Sequence, residues 1–169
     1  MKTKIIEPHK SSLGNLDANM LSALLLAAYI VLHWLTVLVG YIPIVGWLIG
    51  GFLGFLKWIS PILVIVVIFI EKNSRFVKYS ALHSLIFTIV FTISSFVYGI
   101  FSGILGAIIG NGTVNTVFWI IGGVGGLIMT ALFGLFAFMA FQYKQAELPG
   151  ISGLVDKIVE KLEPANKQK

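Results

Sequence analysis

The chain contains no cysteine, which excludes disulfides, thiolate metal sites, cysteine nucleophiles and palmitoylation together. Charge is scarce as well. Only 11% of the 169 residues are Asp, Glu, Lys or Arg, against about a quarter in a soluble globular chain, and the stretch from Tyr79 to Tyr143 holds none of them. No Asp or Glu falls inside any long apolar run, which argues against a proton- or cation-coupled carrier built on an intramembrane carboxylate. A dinucleotide-binding glycine fingerprint in a strand-helix context, a phosphate loop, a His-Glu-x-x-His motif and a Ser/His/acid set are all missing. These absences exclude an ordinary soluble domain and point away from an enzyme. No catalytic, cofactor or metal residue is expected, and no nucleic-acid partner.

What is present is apolar: 57% hydrophobic residues and a mean hydropathy of +0.96. Crossing about 30 Å of hydrocarbon takes roughly 20 apolar residues as a helix. Four runs meet that need, at 20–40, 44–70, 79–110 and 117–141. The fold expected is therefore all-α: a polytopic, four-span membrane domain over 20–143. It lies between an N-terminal segment, 1–19, and a tail, 144–169. The first run lies too far from Lys2 and Lys4, and is too long, to be a signal peptide. The second carries Lys57 and Pro61. It is read as one helix kinked or broken near 57–61, or as a re-entrant half-helix over 44–56 followed by a short span.

Charge placement orients the spans, because short Lys- and Arg-rich loops stay in the cytoplasm. Lys2, Lys4 and Lys10 precede the first span, Lys72, Arg75 and Lys78 join the middle pair, and Lys144 opens the tail. The loops at 41–43 and 111–115 carry no charge. Both termini are thus expected inside, in the plasma membrane of a prokaryote. Beyond Pro149-Gly150, Ile151, Leu154, Val155, Ile158, Val159 and Leu162 recur at helical spacing, with Asp156, Lys157, Glu160 and Lys161 opposite. This predicts an amphipathic helix over 151–162, lying on the inner membrane surface or packed on a partner.

Within the spans, polar and small residues fall on single helix faces. Ser84, Thr88, Thr92 and Ser95 line one side of the third span; Gly122, Gly126 and Gly134 repeat in the fourth. Small residues at this spacing let helices approach closely in lipid, and such a stripe also suits a lined groove or an oligomer seam. His33, Lys57 and His83 are the ionisable residues inside the spans. A lysine there costs about 2.5–3.5 kcal/mol on insertion scales, unless it snorkels.

The segment Arg75-Phe76-Val77-Lys78-Tyr79-Ser80-Ala81-Leu82-His83-Ser84 is the most distinctive. It places basic and aromatic side chains where a span meets the inner headgroups, so Arg75, Phe76, Lys78, Tyr79 and His83 are candidate contacts for anionic lipid or a partner. The run resembles the signature of a family of small four-helix prokaryotic membrane proteins related to the twenty-kilodalton subunit of the chloroplast inner-envelope import translocon. Leu16-Asp17-Ala18-Asn19 and Leu148-Pro149-Gly150 are similar to that family's flanking motifs. Ser80 and His83 depart from its pattern, standing where His or Asn and then Gln are usual.

The resemblance implies a non-enzymatic subunit or scaffold of a membrane complex, similar to a protein-translocation component, with a membrane-protein partner or a second copy of itself. A second reading is a small oligomeric channel or carrier for a neutral or anionic solute. The topology is checked directly because the chain is its own cysteine-free background. Thr113→Cys is expected to react with a membrane-impermeant maleimide in intact cells, and Lys72→Cys and Lys144→Cys only after permeabilisation. Labelling of all three from outside would refute the orientation.

Overall fold

The computed structural model describes residues 2–42, 45–109, 112–148 and 150–162. Pro43 between the first two apolar runs, Asn111 between the last two, Pro149 and the tail from Glu163 lie outside the described residues. The apolar runs form α1 (Ala18–Gly40), α2 (Val45–Ile70), α3 (Arg75–Ile109) and α4 (Gly112–Phe141). All four are long and apolar enough to cross a membrane, so the chain is built as a multi-pass membrane protein. A fifth helix, α5, covers Ile151–Leu162. Two short strands were not foreseen: β1 (Lys2–Ile5) and β2 (Lys144–Glu147) pair antiparallel, with Thr3 opposite Ala146.

α2 is continuous through Pro61, so the chain does not break into a half-helix and a short span. Proline has no N–H to offer the carbonyl four residues back, which here belongs to Lys57. The Ser60 hydroxyl donates to that carbonyl instead, at 3.1 Å, and so supplies the bond the helix lost. α2 leaves α1 through a tight turn in which the Gly46 amide donates to the Ile42 carbonyl at 2.7 Å. A Cβ on Gly46 would lie 2.5 Å from the Val39 carbonyl oxygen, so only glycine fits there.

α3 starts one turn earlier than expected, at Arg75, and its 35 residues make a rod of about 52 Å. Its first turns are buried in protein, from Phe76 through Ser84, with Phe87, Thr88 and Phe91 continuing the face. The core lies in this end of the bundle. Phe133 of α4 is fully buried, stacked on Tyr29 and edge-on to Phe87 at 5.4 Å. Farther out, Phe96, Phe101 and Ile108 of α3 and Trp119 of α4 are exposed, an apolar surface suited to lipid.

The segments before α1 and after α4 meet at the buried end of α3. Tyr143 ends α4 with a left-handed φ of 56°, which turns the chain back as β2, and Asn19 Nδ2 donates to the Phe141 carbonyl at 2.7 Å. β1 then pairs with β2, and the Ile6 amide donates to the Tyr143 carbonyl. α5 buries Val155 and Val159 completely against the rest of the chain, each worth roughly 1.5–3 kcal/mol. Its apolar face is turned onto α3, so that β1, β2 and α5 together make a cap over the start of that helix, while Leu154 stays exposed.

Val155→Asp would put an unpaired carboxylate into a site with no solvent contact, at a cost on the order of 3 kcal/mol. We expect faster proteolysis within 148–162 and unchanged thermal unfolding of the membrane helices. Equal cleavage rates in the two proteins would show that this contact does not hold α5.

Candidate functional site

The cap is organised by a carboxylate. Glu71 follows α2 directly and is 0% exposed. Its Oε1 accepts from the Asn73 and Ser74 amides at 2.9 and 2.8 Å; the Ser12 amide lies 3.1 Å from both oxygens, and the Ser11 hydroxyl donates to Oε2. The Lys72 amide returns a bond to Ser12 Oγ at 2.9 Å. Ser74 is the N-cap of α3, its Oγ accepting from the Val77 amide at 3.1 Å. That hydroxyl also meets His9 Nε2 at 2.7 Å, while His9 Nδ1 donates to the Glu7 carbonyl. In the neutral ring Nε2 is then the acceptor and Ser74 the donor.

Burial pushes the Glu71 carboxyl up, but the bonds from the Ser11 hydroxyl and the Ser12, Ser74 and Asn73 amides outweigh it and bring its pKa down to about 2.

The basic and aromatic segment expected as an exposed collar sits differently. Arg75 alone is on the surface, with its guanidinium 3.5 Å from Asp156 and 3.6 Å from Glu160. Phe76, Lys78, Tyr79 and His83 are inside, because β1, β2 and α5 fold over them. Phe76 stacks on Tyr143, and Tyr79 donates from its hydroxyl to the Ala146 carbonyl at 3.3 Å. His83 is 1% exposed, 4.5 Å from the Tyr79 ring and packed on Phe87 and Phe136. Its Nε2 has no hydrogen-bond partner among the described residues.

Between β1, the start of α3 and α5 lies an open groove of about 770 Å³. Lys4, Glu7, His9, Arg75, Glu147, Asp156 and Glu160 line it, and Ile5 at its edge is 79% exposed.

A second polar group sits deeper, with a residue from every long helix. Tyr29 of α1 is hydrogen-bonded to Thr92 of α3 at 3.3 Å, and Trp34 Nε1 donates to Thr130 of α4 at 2.8 Å. His33 lies edge-on to Phe91 and Trp34, and the ammonium of Lys57 from α2 stands 5.8 Å from the Tyr29 ring centroid.

The Ser/Thr stripe of α3 does not stay in one environment. Ser84 is buried and donates to the Leu25 carbonyl at 2.6 Å, Thr88 is buried, Thr92 is half-buried and Ser95 is exposed. The α4 glycines divide too. A Cβ on Gly122 would lie 2.9 Å from the Tyr98 ring, whereas Gly126 and Gly134 face open space.

Sequence reading passed over Glu71, Ser11, Ser12 and Ser74 in the cap, and Tyr29, Trp34 and Thr130 in the bundle. Ser74 ahead of Arg75 carried an N-cap signal. Nothing local links Ser11 to Glu71. Tyr29 and His33, four apart, share a face of α1.

The Glu71 node predicts a pH dependence. With its folded pKa depressed, its stabilisation is complete above the ordinary value of 4.5 and is lost as pH falls from there towards about 2, a total of roughly 3 kcal/mol. Hydrogen exchange at the Ser12 and Ser74 amides should accelerate across that window. In Glu71→Gln it should be fast at neutral pH and without the acid-dependent rise. Native amides whose protection is unchanged down to pH 2 would overturn the assignment. Comparison of this chain with protein-family models, curated proteins and solved structures finds no match.

Proposed function

We propose that this is a non-enzymatic membrane subunit, of the prokaryotic plasma membrane, whose folded cap faces the cytoplasm and docks a polypeptide partner. The carrying observation is the groove of about 770 Å³ with its charged lining, between β1, the start of α3 and α5. A groove whose rim mixes Lys4 and Arg75 with Glu7, Glu147, Asp156 and Glu160 suits selection of a partner by charge pattern, which acts on approach and register more than on raw affinity. The family resemblance, to a component of a protein-import translocon, agrees with a polypeptide as the partner.

The cytoplasmic orientation rests on the basic residues. Lys4, Lys10, Lys72, Arg75, Lys78 and Lys144 all belong to the end of the bundle where β1 pairs with β2, as the positive-inside rule requires. In this arrangement Leu154, Lys157 and Lys161 share the exposed side of α5 and face the inner headgroups. α2 bends at Pro61 to keep its long apolar run within the bilayer.

Photocrosslinking in cells, with the reactive side chain at Ile5 or Glu160, tests the reading. A discrete polypeptide adduct is expected at both positions and at neither Phe101 nor Trp119 on the apolar surface. Glu147→Lys combined with Glu7→Lys should weaken it several-fold, as expected for rim charges. Lipid adducts alone at the groove positions, or an adduct indifferent to the charge reversal, would sink the proposal.

A further inference from the structure

Lys57 stands near the midpoint of α2, whose 26 residues span about 39 Å. Its direction is set by the helix: Ser60, Val64 and Ile68 follow at three, seven and eleven residues, and all three are buried. Lys57 therefore leaves α2 on the bundle side, half-buried, towards Tyr29 and His33. A lysine that snorkels needs a path to the interface. This one is instead drawn inward to 5.8 Å from the centre of the Tyr29 ring.

No carboxylate is available there. None of α1 to α4 contains Asp or Glu. The nearest along the chain, Glu71, is about 21 Å further along at the helical rise and already holds four donors. Among the described residues the ammonium has no ion pair and no hydrogen bond, only the ring of Tyr29. Tyr29 also carries a hydroxyl, shared with Thr92, and His33, one turn along the same face of α1, carries a ring that can donate or accept. Charges inside membranes are paired or serve a pathway, and a cation facing the bundle with no acidic group on the four long helices is complementary to an anion.

We propose that Lys57, with His33 and Tyr29, forms a binding site for a monoanionic group at mid-depth in the bundle. The group is a small inorganic anion such as chloride, or the acidic head of a lipid reaching in between the helices. The site does not rest on the docking role of the cap, and the outcome of the crosslinking experiment leaves it untouched. A cap without a partner and a bundle without an anion fail in separate assays.

The test uses the full chain in nanodiscs. In purely zwitterionic lipid, the ³⁵Cl resonance of chloride should broaden in the presence of the protein, saturably. Lys57→Met should weaken the apparent affinity about tenfold or more; Lys57→Arg should retain it, and Lys72→Met in the exposed loop should leave it unchanged. In nanodiscs containing phosphatidylglycerol, native mass spectrometry counts the retained acidic lipid. If the lipid is the occupant, Lys57→Met loses one such lipid and acidic lipid abolishes the chloride effect. If chloride is the occupant, the broadening persists in both lipids. Should Lys57→Met not assemble, the native protein decides: broadening that rises linearly with chloride, together with no retained acidic lipid, overturns the site. So does a folded Lys57→Met protein with native chloride broadening and native lipid retention.

Discussion

The carboxylate of Glu71 is where two distant stretches of chain meet, the N-terminal arm and the loop between α2 and α3, and the rest of the cap depends on it. It takes donors from Ser11 and Ser12 in the N-terminal arm and from Asn73 and Ser74 in the loop that starts α3. A buried carboxylate is costly unless its lone pairs are filled, and here the backbone itself fills them. Once the arm is fixed, β1 is in place to pair with β2. That pairing covers the start of α3, and α5 closes over the same helix. The result is a module made from the segments before α1 and after α4, in a chain whose middle is apolar.

The two polar regions of the molecule solve opposite problems. In the cap an anion is buried and neutralised by donors. Deeper in the bundle a cation, Lys57, stands over the Tyr29 ring without any acidic group on the four long helices. The helix backbone adjusts at the same place, since Ser60 supplies the bond to the Lys57 carbonyl that Pro61 cannot. Around this point the hydroxyls of Thr92 and Thr130 receive or share the polar hydrogens of Tyr29 and Trp34. Unsatisfied polar atoms are as costly here as in any apolar medium.

Much of the fold was legible before any coordinates. Runs of apolar residues long enough to span hydrocarbon admit little besides helix, so α1 to α4 follow with shifts of a turn or less at most ends. The strands were not legible. Lys2–Ile5 and Lys144–Glu147 are four residues each, mostly polar, and pair across nearly the whole chain, so neither carries a local signal. The segment from Arg75 to His83 reads as a contact for anionic lipid or a partner, because basic and aromatic residues at a span boundary ordinarily sit at the headgroup level. The same side chains suit a buried seat equally well once something covers them. Ser84 and Ser95 lie on one helical stripe yet occupy the core and the surface. Gly122 meets Tyr98 while Gly126 and Gly134, at the same spacing, meet nothing.

Composition and order alone determined that the chain forms helices for a bilayer and that its formal charges, Lys57 apart, fall outside the four apolar runs. Those features come from hydropathy and from the cost of charge in hydrocarbon, and both act residue by residue. Tertiary structure decided what lies over the start of α3, which polar residues meet, and where a cation has no counter-charge. These depend on contacts between residues far apart in the chain, such as Ser11 with Glu71, Tyr29 with Lys57 and Trp34 with Thr130. No local pattern encodes such partners, because each is chosen by the packing of whole helices.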